Sequence, residues 1–158
     1  MLPVGATIPD LATTDQHDRS LPLLQRLGPR GGIIYFYPKD NTPGCTLEAN
    51  DFQSLGQRFA ELGCTVIGIS KDSVRSHVGF CSNYGLEFTL LSDGDGTLCE
   101  AFGVWQEKTL YGKTSMGIVR STFIVDQTGV IRKVYKSVKT QGHAEAVLAE
   151  LVRLQGEG

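Results

Sequence analysis

"GGIIYFYPKDNTPGCTLEANDF", residues 31–52, decides the fold. Residues 33–37 are apolar or aromatic without polar alternation, the pattern of a strand covered on both faces. Pro38 ends the run. After Thr42-Pro43-Gly44 the period changes: Leu47, Phe52, Leu55, Phe59 and Leu62 recur at helical spacing over 46–62, with Gly63 as the stop signal. A buried strand therefore runs through a short loop into a helix. The junction holds one cysteine, Cys45.

Working outward, "CTVIGIS" (64–70) reads as a second buried strand, parallel to the first through a right-handed crossover. Asp72 or Ser73 caps a short helix that runs to about Tyr84 and ends at Gly85. "EFTLLSD" is extended, and "GTLCEAFGV" makes one to two helical turns. "RSTFIVDQTGVIRKVYK" (120–136) is two strands around a Gln-Thr-Gly turn. Residues 142–154 form a last amphipathic helix with Ala146, Val147, Leu151 and Leu154 on its apolar side. This order specifies an α/β, thioredoxin-like fold, a central mixed β-sheet flanked by helices. The 158 residues, without repeat or linker, are expected to form one domain, 1–158.

Composition narrows the function. Net charge is −2, so neither nucleic acid nor an anionic membrane surface is an expected partner. No apolar stretch approaches the roughly 18 residues of a membrane span. The start, "MLPVGATIPDLATTDQHDR", lacks the form of a signal peptide, so a reducing cytoplasmic setting is expected. Cysteines 45, 64, 81 and 99 have no C-x-x-C spacing, which argues against a general thiol–disulfide oxidoreductase and against a structural zinc site. No metal is expected.

A free thiol is only about 3% thiolate at pH 7 and needs help to react. The junction offers that help. Unpaired N–H groups and the positive end of the macrodipole favour an anion at a helix start. Thr42, three residues before Cys45, has a hydroxyl that can donate to the sulfur or to a bound oxygen. Pro38 and Pro43 stiffen the loop. Lys39 is the local cation. Arg120 is the stronger candidate, because it opens the strand expected beside 33–37 and a guanidinium can present two N–H groups. Glu48, one turn into the helix, is placed to hold that arginine. Taken singly, each feature has a plain alternative: a buried filler thiol, an ordinary turn, a surface charge. Their combination at fixed spacing argues for a site.

"YPKDNTPGCTLEA" resembles the active-site segment of peroxiredoxins, in which Pro, Thr and Cys recur at the spacing of Pro38, Thr42 and Cys45. The wording is similar to the bacterioferritin comigratory protein, or PrxQ, subfamily. The similarity extends through "VGATIPDLATTDQ", "VIGISKDSVRSH", "LLSDGDGTLCEAFGVW" and "RSTFIVDQTGVIRKVY". The resemblance implies a peroxidase acting on hydrogen peroxide and organic hydroperoxides. Cys45 would be the peroxidatic thiol, Thr42 and Arg120 would orient the peroxide, and Pro38 would shield the pocket. It also implies no cofactor, a monomer, and thioredoxin or a similar dithiol protein as the reductant.

Many relatives of this kind carry a resolving cysteine five residues after the first. Here that position is Asn50. Cys64 and Cys99 read as core. Cys81 shares a helical stripe with Val74 and Val78, which favours burial. Yet "SHVGFCSNYGL" resembles a subgroup whose resolving cysteine lies on this helix, implying a Cys45–Cys81 disulfide. His77, one turn before Cys81, could serve as a base, but a surface position is the plainer reading, as for His17 and His143. Trp105 reads as packing.

Overall fold

The computed structural model describes residues 1–157. Two short strands, β1 (Ala12–Asp15) and β2 (Ser20–Pro22), precede β3 (Gly31–Phe36), in which every residue is buried. Helices α1 (Pro43–Ser54) and α2 (Gly56–Glu61) lead to β4 (Cys64–Ser70), then α3 (Val74–Tyr84) and β5 (Thr89–Ser92). A short α4 (Thr97–Ala101) is followed by β6 (Trp105–Leu110), β7 (Lys113–Ile118), β8 (Ser121–Val125), β9 (Ile131–Tyr135) and α5 (His143–Glu157). Seven strands form one mixed sheet in the order β2-β1-β5-β4-β3-β8-β9. Strand β3 runs parallel to β4 and antiparallel to β8. Among the described residues no helix is long and apolar enough to cross a membrane.

Strand alternation divides the core. Ile33, Tyr35 and Tyr37 face a cluster with Cys45 and Phe52 of α1, Phe80 of α3 and Val147 of α5. Ile34 and Phe36 face the opposite cluster, with Leu98 of α4 and Phe123 of β8. A two-residue period thus lets a continuous apolar run serve two layers. Removing one of the large side chains, as in Phe52→Ala, is expected to cost about 3–5 kcal/mol.

Three features differ from the sequence expectation. The helix expected over 46–62 is broken at Leu55 (φ −96, ψ 4), just before Gly56, a poor helix former. Phe52 and Phe59 are both fully buried, while Leu47 of the expected apolar stripe is 41% exposed. On α3 the buried residues are His77 and Phe80, whereas Val78 is exposed. Finally, β6 and β7 form a separate two-stranded ribbon. Its Tyr111-Gly112 turn has φ of +52 and +77, the two left-handed residues of a tight hairpin. The polar run Gln106 to Thr109 carries no apolar alternation, so periodicity gave no sign of it.

Candidate active site

Strand β3 delivers the chain to a tight loop over 37–42. Asn41 takes a left-handed φ of +61, and Thr42 is extended (φ −90, ψ 154) as the residue that caps α1. Pro43 fills the first helical position, where its missing N–H costs nothing. The first helical bond runs from the Thr46 N–H to the Thr42 carbonyl at 2.8 Å. Cys45 therefore sits in the first turn, where N–H groups lack helical acceptors and the macrodipole is positive. It is 1% exposed.

Arg120 immediately precedes β8, whose Ser121 pairs with Phe36 at the end of β3. Sheet register thus brings the guanidinium to α1. Its Nη2 donates to Cys45 Sγ at 3.3 Å and its Nη1 donates to Glu48 Oε1 at 2.7 Å. Gly44 adjoins the guanidinium: a Cβ there would make ordinary van der Waals contact with Arg120 Nη2 at 3.4 Å. Burial pushes the Glu48 carboxyl up to about 7, with Arg120 pulling it back. Burial works against the charge of Arg120, but Glu48 and Cys45 together outweigh it and raise its pKa. Three expected residues are therefore in direct contact. Thr42 stands beside them, with its hydroxyl proton donated to the Lys39 carbonyl at 2.8 Å. Its oxygen is left to accept. Pro38 is exposed at the start of the loop.

Cys81 lies in the last turn of α3, partly buried and packed against the same core cluster as Cys45. Burial, followed by the charge of Asp40, pushes its thiol up to about 11. Cys64 and Cys99 are core residues, 4% and 0% exposed, and burial raises both thiols. All four cysteines are free thiols.

The sequence reading missed two groups. His77 and His143 are buried, not surface residues, because each ring answers a polar group in the core. His77 Nδ1 lies 2.7 Å from Asp40 Oδ2, and His143 Nε2 lies 2.8 Å from Thr122 Oγ1. Asp40 and His77 form, with Asp72, a cluster of ligand-type atoms within 4.8 Å, but hydrogen bonds inside the protein already engage each member. The second missed group is Lys108 on β6. Its stem lies across Gly117 of β7, where a Cβ would meet it at 3.2 Å. Burial and Arg120 lower its pKa while the Cys45 sulfur opposes them, so the ammonium stands within electrostatic reach of both. Gly117, opposite a lysine-bearing strand, was the available signal.

Residues 4–134 match the model of the AhpC/TSA family. Peroxiredoxin Bcp of Xanthomonas campestris is 51% identical over 119 residues, covering 75% of this chain and 74% of the relative. Peroxiredoxin Bcp of Bacillus subtilis is 42% identical over 148 residues, covering 94% of each. Among solved structures, peroxiredoxin Q of X. campestris superposes with a TM-score of 0.88 at 43% identity, over 95% of this chain and 97% of that one. Another X. campestris structure, of a trapped intermediate and ligand complex, concerns that protein's alkyl peroxide reduction. The X. campestris protein was also solved with serine at either of two cysteines 36 positions apart, the separation of Cys45 and Cys81. The chain belongs to the AhpC/TSA family and, within it, to the Bcp/PrxQ peroxiredoxins.

Proposed function

We propose that this peroxiredoxin reduces hydrogen peroxide and organic hydroperoxides with Cys45 as the peroxidatic thiol. The thiolate attacks one peroxide oxygen, the O–O bond breaks, and the other oxygen leaves as water or an alcohol after taking a proton. Cys45 is left as a sulfenic acid. Arg120 stabilises the attacking sulfur and the charge developing on the leaving oxygen. Glu48 holds the guanidinium in place, Thr42 lines the approach of the peroxide, and Pro38 stiffens the loop that carries it. The observation that carries this reading is the unbroken row Glu48–Arg120–Cys45 at the start of α1.

Cys81 then resolves the sulfenic acid as an intramolecular Cys45–Cys81 disulfide, and a dithiol protein of the thioredoxin type reduces it. The serine pair in the X. campestris relative supports this choice of partner, and the replacement of the nearer expected position by Asn50 favours it. The protein works as a monomer, in a reducing compartment that keeps its thiols free.

The test is to treat the reduced protein with one equivalent of peroxide and follow it by intact mass and peptide mapping. Loss of two hydrogens mapped to positions 45 and 81 is the expected result. A thiol adduct or an overoxidised Cys45, with Cys81 still reduced, would replace the internal disulfide with resolution by an external thiol.

A further inference from the structure

The loop before Cys45 is fastened to α3 by one buried polar knot. Asp40 is 4% exposed; its Oδ1 accepts the Tyr37 hydroxyl at 2.5 Å, and its Oδ2 accepts the Ser76 hydroxyl at 2.8 Å. The same Oδ2 lies 2.7 Å from Nδ1 of His77, which is fully buried. His77 Nε2 donates to the Leu91 carbonyl at 3.0 Å, because a carbonyl can only accept. The Asp40 N–H donates to Asp72 Oδ2 at 2.9 Å, and Ser70 donates to the same oxygen at 2.7 Å. The knot thus ties the loop, the end of β4, β5 and the first half of α3 together.

The other end of α3 is held by little. Residues 82–85 are exposed, and the tie from there to the loop is the Asn83 amide on Asn41 at 3.4 Å. Gly85, with φ +64, closes the helix. Cys81 sits at the border, one turn beyond His77 and immediately after the buried Phe80.

We propose that Asp40 and His77 are positioning residues for the disulfide step: their pairing holds α3 folded and sets how often Cys81 is released toward Cys45. The inference rests on Cys81 being the resolving thiol. In the step itself the Cys81 sulfur attacks the sulfenic sulfur of Cys45. An S–S bond forms, the S–O bond breaks, and the departing hydroxide takes the Cys81 proton as water. Cys81 is oxidised from thiol to disulfide as the sulfenic sulfur is reduced. Folded α3 disfavours this twice. Disulfide geometry requires Cα atoms within about 4.4–6.8 Å, a spacing that cysteines on two separate helices such as α1 and α3 seldom meet, so we infer that the step proceeds through local opening. Burial and the Asp40 charge also hold Cys81 protonated, whereas the thiolate is the nucleophile. Opening moves Cys81 and frees it from that setting together. A stronger knot therefore lengthens the life of the sulfenic acid, which a second peroxide converts to sulfinic acid.

The experiment is quenched-flow alkylation of the reduced protein after peroxide addition. Mass spectrometry reads the rate of Cys45–Cys81 disulfide formation and the sulfinic fraction at excess peroxide. His77→Phe replaces the imidazole with a somewhat larger apolar ring and removes its hydrogen bonds. It should form the disulfide roughly tenfold faster, the scale of losing a hydrogen bond to a charged group, and should overoxidise less. Ser76→Ala should shift both readouts in the same direction by less, and it carries the test if His77→Phe does not fold. Ile131→Ala, which loosens the core cluster on the opposite face of the sheet, should leave the partition between disulfide and sulfinic acid unchanged. A wild-type protein that forms the disulfide while His77→Phe and Ser76→Ala form it no faster would overturn the inference. A wild-type protein that consumes peroxide without any Cys45–Cys81 disulfide would instead remove the resolving role of Cys81, and the inference with it.

Discussion

Cys45 and Cys81 pack against one core cluster, yet their settings are opposed. Cys45 occupies the first turn of its helix, at the positive end of the macrodipole, with a guanidinium 3.3 Å from its sulfur. Cys81 occupies the last turn of its helix, at the negative end, with the Asp40 charge acting against its ionisation. The difference shows that place in the fold, more than residue type, decides which thiol has a cationic partner and which is held against ionisation by burial and a nearby carboxylate.

The largest effect should come from removing the cation. Arg120→Met is expected to lower the rate of Cys45 with peroxide by about a hundredfold or more, the scale of losing a transition-state donor, measured by stopped-flow consumption of hydrogen peroxide. Cys81→Ser should separate the two thiols. Its first turnover should match the wild type, while sustained turnover with a dithiol protein falls and sulfinic Cys45 accumulates, read by mass spectrometry. An unchanged sustained rate would assign resolution to an external thiol.

Lys108→Met sharpens the Cys45 side of the contrast. A partly exposed charge is worth about 0.2–1 kcal/mol, so the peroxide rate should fall by a factor of about 1.4 to 5. The smallest effect concerns His143, which burial and then Arg120 lower to about 4. An unfolded histidine takes up its proton near 6.5. Between these values the unfolded chain binds more protons, so the stability that neutral His143 contributes is present above 6.5 and is lost as pH falls toward 4. Urea unfolding over that range should show the slope in the wild type and a shallower one in His143→Gln. Arg120→Met should narrow the window from its lower end, because part of the shift comes from that guanidinium.

Much of the site was legible because its parts lie close in sequence or in register. The strand-to-helix junction around Cys45 follows from an apolar run, two prolines and a change of period. Arg120 was reachable because the strand it opens pairs with β3. What escaped depends on tertiary contacts that no local pattern encodes. His77 stands at helical spacing from Val74 and Cys81, but it is a polar ring, and the return of the loop at Asp40 is what makes a buried imidazole acceptable there. Lys108 lies in a polar ribbon without apolar alternation, and its stem packs over Gly117 of the facing strand, a contact across the ribbon.

The central claim is that Cys45, held by Arg120, performs the first chemical step. Its most direct test is single-turnover peroxide consumption by the fully reduced protein, compared with Cys45→Ser. One peroxide consumed per wild-type chain, and only the uncatalysed background rate for Cys45→Ser, is the result this account predicts. Peroxide turnover retained by Cys45→Ser would contradict it, whatever the other three cysteines do.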